Sequence, residues 1–522
     1  MQKIIMVCAL SVSVLLSACG GGGGGDGTPA TGPVVSNGGA SGASGASSTS
    51  GGGASGGAST GTSGSGTSGS GGSASGTSGS GASGSGTSGS GASGSGTSGS
   101  GTSGSGTSGS DTSGSGSSGS GTSGSGTSGS GTSDSGSGSG NSSSSGGGST
   151  ADIGNTIPVR VSSASAVRNF PLVSVTVCQP GSGAQASCAT IDNVLLDTGS
   201  FGLRLFASAI PASTLAALPV QADLASGKSV AACGAFGSGY TWGSLRAADV
   251  KLAREVAAAV PIQVIGDAAI VSQAPASCVW NTALTSPAVL GANGILGVGV
   301  ARYDCGTACA SGTPRAGYYY ADTAPATPVS IPLVNQVTNP VALFPVDNNG
   351  LIVDMPAIAA DGAPTATGTV TFGIGTQANN LLAGAGATVL ATDRWGNFSG
   401  SVGSVGSGNT VQTFIDSGSN TLSFEDWSIV QDNLFYVPAA PLKRSVTLSD
   451  ANGVNATTNI VIGNADALLS SLNFAFSNLA SFVARTVDLG MPFFYGRRIY
   501  YGIDGTSSGA GATGPYVAYV TR

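Results

Sequence analysis

Two stretches of the 522-residue chain end an apolar run in the same way: Val194-Leu195-Leu196-Asp197-Thr198-Gly199-Ser200 and Thr413-Phe414-Ile415-Asp416-Ser417-Gly418-Ser419. If folding brings Asp197 and Asp416 to about 3 Å, the two carboxylates cannot both ionise cheaply and share one proton. One can then deprotonate water while the other donates to a carbonyl oxygen. Gly199 and Gly418 let backbone approach each carboxylate closely. The hydroxyls of Thr198 and Ser417 can tie one loop to the other, and Ser200 and Ser419 can hydrogen-bond the carboxylates. Asp, Ser and Gly are also ordinary turn formers, so one copy says little. Two copies behind apolar runs, about 220 residues apart, say more.

The chain has no histidine, which excludes Ser-His-Asp triads, Cys-His dyads and histidine-ligated zinc or haem. Lys228, Lys251 and Lys443 lie in polar stretches without a paired serine motif, which argues against a Ser-Lys dyad. No window offers oxygen ligands at the alternating positions of a calcium loop. No metal and no cofactor is expected.

The elements that must position the two aspartates are strands. Past residue 155 the chain turns to short runs such as Leu172-Val173-Ser174-Val175-Thr176-Val177, rich in β-branched residues and broken by Gly, Pro, Asn and Asp, which indicates an all-β fold. Asp347, Asp354, Asp361 and Asp504 stand among Asn, Gly and Pro and read as turn residues. Residues 20–150 are nearly all Gly, Ser, Thr and Ala and cannot form a core.

These motifs resemble those of the pepsin-like aspartic proteases. Phe236-Gly237-Ser238-Gly239-Tyr240-Thr241-Trp242-Gly243 through Asp249-Val250 looks like the family's flap hairpin. Gly294-Ile295-Leu296-Gly297 resembles the hydrophobic-hydrophobic-Gly segment of its first lobe, and Asp488-Leu489-Gly490 its partner in the second, followed by Arg497-Arg498-Ile499-Tyr500-Tyr501-Gly502-Ile503-Asp504. Val370-Thr371-Phe372-Gly373 looks like a strand that opens the second lobe. The resemblance implies two β-barrel-like lobes, 151–345 and 346–522, with a cleft between them. It also implies a monomeric endopeptidase that binds an extended peptide or unfolded protein and cleaves it with Asp197 and Asp416. Phe236, Gly237, Ser238, Trp242 and Arg204 are then the flap and substrate-binding residues. Two departures stand out: Phe236 replaces the flap tyrosine, and Arg204 the usual tryptophan seven residues after the first aspartate. Arg204 can stack on Phe236 or Trp242 as a cation–π pair, or stand solvated at the surface. The changed flap pair also allows a binding protein of the same fold that hydrolyses nothing. The chain further resembles an uncharacterised family of bacterial lipoproteins with a domain of unknown function, a resemblance that names no activity.

At the N-terminus, Lys3, the apolar stretch Ile4–Leu16 and Leu16-Ser17-Ala18-Cys19 read as a signal segment over residues 1–18. The last four residues resemble the bacterial lipobox, which implies lipidation of Cys19 and a membrane anchor in the cell envelope. Gly20 after the cysteine implies the outer membrane. Residues 19–150 read as a flexible Gly/Ser/Thr tether spanning on the order of 60 Å root-mean-square. The net charge is −7, with no Lys or Arg between Lys3 and Arg160, so nucleic acid is not an expected partner. Beyond Cys8 and Cys19, six cysteines remain, and in an exported protein they suggest three disulfides. Proximity favours Cys178–Cys188, Cys305–Cys309 and Cys233–Cys278 among fifteen possible pairings.

Overall fold

The computed structural model describes residues 154–403, 410–509 and 511–522. The signal segment, Cys19 and the tether expected from the sequence lie outside the described residues. The strands follow from alternation: in β1 (Thr156–Val161) Ile157, Val159 and Val161 are buried while Pro158 and Arg160 face out. Among the described residues the chain forms a 16-stranded and a nine-stranded sheet with three α-helices of four to six residues. No helix there is long and apolar enough to cross a membrane.

The larger sheet contains β2 (Leu172–Cys178), β3 (Ala189–Asp197), β4 (Phe201–Phe206), β5 (Val230–Phe236), β6 (Gly239–Leu252), β7 (Glu255–Ile265) and β8 (Gly294–Val298). Its order runs β5-β6-β7-β4-β8-β3-β2, and β2 pairs back onto β6 through Thr176–Cys178 against Asp249–Lys251. Six strands thus close into a barrel with β5 outside it, leaving most of their edges paired. From β2 the sheet continues through β1 to β10 (Ala366–Phe372) and β9 (Gly350–Met355), then to strands Arg497–Gly502 and Tyr516–Thr521. Val370–Phe372 is therefore a strand, and its partners are β1, with Val370 opposite Ile157, and β9. Asp354, read from the sequence as a turn residue, lies within β9 and pairs with Arg498 at 3.0 Å. Its Asn- and Pro-rich flanks, not its own position, are the turns.

The second sheet holds β11 (Phe398–Val402), β12 (Val411–Ile415), β13 (Leu422–Phe424), β14 (Leu442–Ser449), β15 (Asn455–Ile462) and β16 (Thr486–Leu489), in the order β13-β16-β12-β11-β14-β15. One unit recurs in both sheets. β3 runs parallel to β8, with Asp197 opposite Gly297, and β8 runs antiparallel to β4. Likewise β12 runs parallel to β16, with Ile415 opposite Leu489, and β16 runs antiparallel to β13. Leu196, Leu296, Ile415 and Leu489 are buried beneath the two turns. A Cβ on Gly297 would lie 2.7 Å from the Phe201 nitrogen, so only glycine lets β4 return this closely. Among the described residues the disulfides are Cys178–Cys188, Cys233–Cys278 and Cys305–Cys309, the pairing proximity suggested.

Candidate active site

The turns after β3 and β12 are laced to each other. The Thr198 N–H donates to Ser417 Oγ at 3.1 Å and the Ser417 N–H donates to Thr198 Oγ1 at 2.8 Å. Ser417 Oγ donates onward to the Leu196 carbonyl at 2.7 Å, and the Tyr501 hydroxyl donates to the Ile415 carbonyl at 2.9 Å. This lacing brings Asp197 and Asp416 within hydrogen-bonding reach of each other, both fully buried. The two cradles match. Gly199 N–H and Ser200 Oγ donate to the Asp197 oxygens at 2.9 and 2.5 Å, and Gly418 N–H and Ser419 Oγ donate to those of Asp416 at 2.8 and 2.9 Å. A Cβ on Gly199 would sit 2.6 Å from Asp416 Cγ, so the approach of the loops requires glycine there.

Burial raises the proton affinity of both carboxyls. Asp416 rises further because its ionisation would set a charge beside the carboxyls of Asp197 and Asp488. At Asp197 the Ser200 hydroxyl, the bond to Asp416 and the Gly199 N–H oppose the desolvation. The two carboxyls therefore titrate as a pair and share a proton, with the upward shift greater at Asp416.

Sequence reasoning missed Asp488. It lies on β16 opposite Phe414, the place that Ile295 on β8 takes opposite Leu195 in the other sheet. It is 2% exposed, and neither carboxylate oxygen has a hydrogen-bond partner of good geometry. The nearby Ser419 hydroxyl, which donates to Asp416, offsets only part of the desolvation, so Asp488 keeps its proton well above the usual carboxylate range. The signal was a carboxylate where the first segment has isoleucine. Tyr501 was visible only as part of a motif.

Arg204 is buried rather than solvated, and it lies over the Phe236 ring, one of the two stacking partners expected for it. Its guanidinium pairs with Asp304 at 3.1 Å, the two side chains being 5% and 6% exposed, and donates to Gln263 Oε1 at 3.0 Å. Tyr319 donates its hydroxyl to the other Asp304 oxygen. The Phe236 ring centroid lies 5.8 Å from the guanidinium carbon. Trp242 turns elsewhere, donating to the Ser272 carbonyl at 2.9 Å and packing edge-on against Tyr320. Phe236 ends β5 opposite Gly239, which makes Gly237 and Ser238 the turn of a hairpin that Cys233–Cys278 fastens to the loop beyond β7. Ser200, Phe236 and Arg204 all border one cavity of about 300 Å³. Among the described residues no group of three or more acidic or cysteine side chains could hold a metal ion.

Among solved structures, the chain is similar to an aspartic proteinase from Irpex lacteus, at 15% identity and a TM-score of 0.41, covering 70% of this chain and 96% of that one. No curated protein matches the sequence. Residues 151–519 match a family described as a protein of unknown function, DUF3443. The chain belongs to the DUF3443 family.

Proposed function

We propose that this protein is an acid-active endopeptidase in which Asp197 and Asp416 share the catalytic proton, carried by a two-lobed body with lobes 151–345 and 346–522. The reciprocal bonds between Thr198 and Ser417 carry this reading, because they hold two aspartates distant in sequence against each other in matched cradles. Ionised Asp197 takes a proton from water, whose oxygen attacks the scissile carbonyl carbon, and Asp416 gives its proton to the carbonyl oxygen. The resulting gem-diol collapses as the C–N bond breaks. The amine nitrogen takes one proton, and a hydroxyl proton returns to the pair, so the dyad ends with the single proton it began with. No histidine or metal enters these steps. An extended chain bound beside the Phe236 hairpin would present its carbonyl to the pair. Cleavage at Cys19 with lipidation would tether this body through residues 19–150 to the outer membrane.

Asp197→Asn and Asp416→Asn are each expected to abolish cleavage of an unfolded protein at acid pH, and a statine-type transition-state mimic to bind the unaltered protein and inhibit it. Cleavage retained by either variant rejects the dyad. A second reading, a binding protein that hydrolyses nothing, draws on the complete burial of both carboxylates. Under it the mimic and the substitutions leave no trace in any cleavage assay, because the unaltered protein has no activity to lose.

A further inference from the structure

The chain is acidic, with 17 Lys and Arg against 24 Asp and Glu, yet beside the dyad the balance reverses. Arg204, Arg315 and Arg394 all bear electrostatically on Tyr318, and the single carboxylate among the groups acting there is Asp304. Arg204 is paired with Asp304, but its buried Nε has no partner. Arg394 donates to the Cys305 carbonyl at 2.8 Å and lies over the Trp395 ring at 4.3 Å, with no carboxylate in ion-pair range among the described residues. Arg315 is half-buried and likewise lacks a carboxylate partner there. Three guanidinium groups and one carboxylate thus act on the same hydroxyl.

Arg204 and Arg315 both line the cavity of about 300 Å³, together with Asp304, whose charge Arg204 balances; the cavity lies at the lower end of ligand-binding cavities and is open to solvent. Ser200 lines it too and donates to Asp197, so the cavity begins one hydrogen bond from the dyad. An apolar side chain entering it would strip water from Arg315 and return nothing. A carboxylate would replace that water with charge-assisted bonds, which a planar guanidinium makes well.

We propose that this cavity receives an acidic side chain, so that the site selects extended peptides carrying Glu or Asp next to the segment held at the dyad. The selection rests on the proposed peptide-binding role and holds whether or not the bound chain is cut. The repulsion of a basic side chain by Arg315, which has no carboxylate in ion-pair range among the described residues, sharpens it.

The test measures binding, not turnover. The full-length protein carrying Asp416→Asn, which keeps a bound peptide intact, is titrated by calorimetry with synthetic octapeptides. These are identical except for Glu, Gln or Lys stepped through each position. At one position Glu is expected to bind about tenfold tighter than Gln, as for one charge-assisted hydrogen bond, with Lys weakest. Arg315→Gln should erase the difference between Glu and Gln, and Arg315→Glu should reverse the order in favour of Lys. Thermal melts of both variants establish that they fold. Equal binding of the three peptides at every position, no binding at all, or a Glu preference that survives Arg315→Gln overturns the proposal. Cleavage of an unfolded protein by the unaltered chain is scored separately, so loss of the acidic preference and loss of the hydrolytic reading remain distinct results.

Discussion

Replacing Arg204 by alanine removes the cation from a pair whose two side chains are almost fully buried at 3.1 Å. It leaves the Asp304 carboxylate with the Tyr319 hydroxyl and no opposing guanidinium, and leaves Gln263 Oε1 with only the Thr241 hydroxyl at 2.8 Å. Breaking a buried pair from one side costs about 3–5 kcal/mol, because the remaining charge has been stripped of water. The same change at an exposed pair costs about 0–1 kcal/mol, so the outcome separates a buried from a solvated Arg204. Urea unfolding at pH 7 measures the loss. Asp304 already has a raised proton affinity from burial, and losing Arg204 raises it further. A group whose affinity is higher folded than unfolded contributes stability that is present below its unfolded pKa and lost as pH rises through its folded pKa. The deficit of Arg204→Ala should therefore be largest at neutral pH and shrink as the pH falls toward 4. Adding Asp304→Asn removes the stranded charge and should recover part of it. A loss under about 1 kcal/mol, or one that does not change with pH, would show that Arg204 and Asp304 do not form a buried ion pair.

Two other substitutions probe the dyad and its surroundings. Gly199→Ala would place a methyl carbon 2.6 Å from Asp416 Cγ, so it should destabilise the fold by about 1–3 kcal/mol and abolish any hydrolysis; near-normal stability and activity would contradict the close approach of the loops. Asp488→Asn removes a carboxyl that burial keeps protonated in the folded chain. The variant should be more stable than the unaltered protein at pH 7, with an advantage that fades toward pH 4 at up to about 1.4 kcal/mol per pH unit. A less stable variant at pH 7 would show Asp488 to be ionised or otherwise bonded.

The dyad was legible because each half is local: an apolar strand, then Asp, hydroxyl residue, Gly and Ser in immediate succession, so one segment encodes both the strand end and its cradle. The strands were legible for the same reason, as β1 illustrates with its alternation of Ile157, Val159 and Val161. Sheet order was not. Val370–Phe372 announces a strand, but its partner Thr156–Ile157 lies more than 200 residues earlier, and no local pattern names it. The ion pair of Arg204 was not legible for a related reason, since Asp304 stands 100 positions away and meets it only after β4 packs beside β8. Asp488 was read as part of an apolar segment, and its burial against Asp416 emerges only from the pairing of β16 with both β12 and β13.

The proposed hydrolysis of peptide bonds by Asp197 and Asp416 is measured by cleavage of a mixed peptide library across pH 3 to 7, with the full-length protein and its Asp416→Asn variant run in parallel. Hydrolysis by the pair requires new termini from the unaltered protein at pH values where Asp197 is ionised while Asp416 still holds its proton, and none from the variant. No cleavage by the unaltered protein at any pH, or equal cleavage by both, contradicts it.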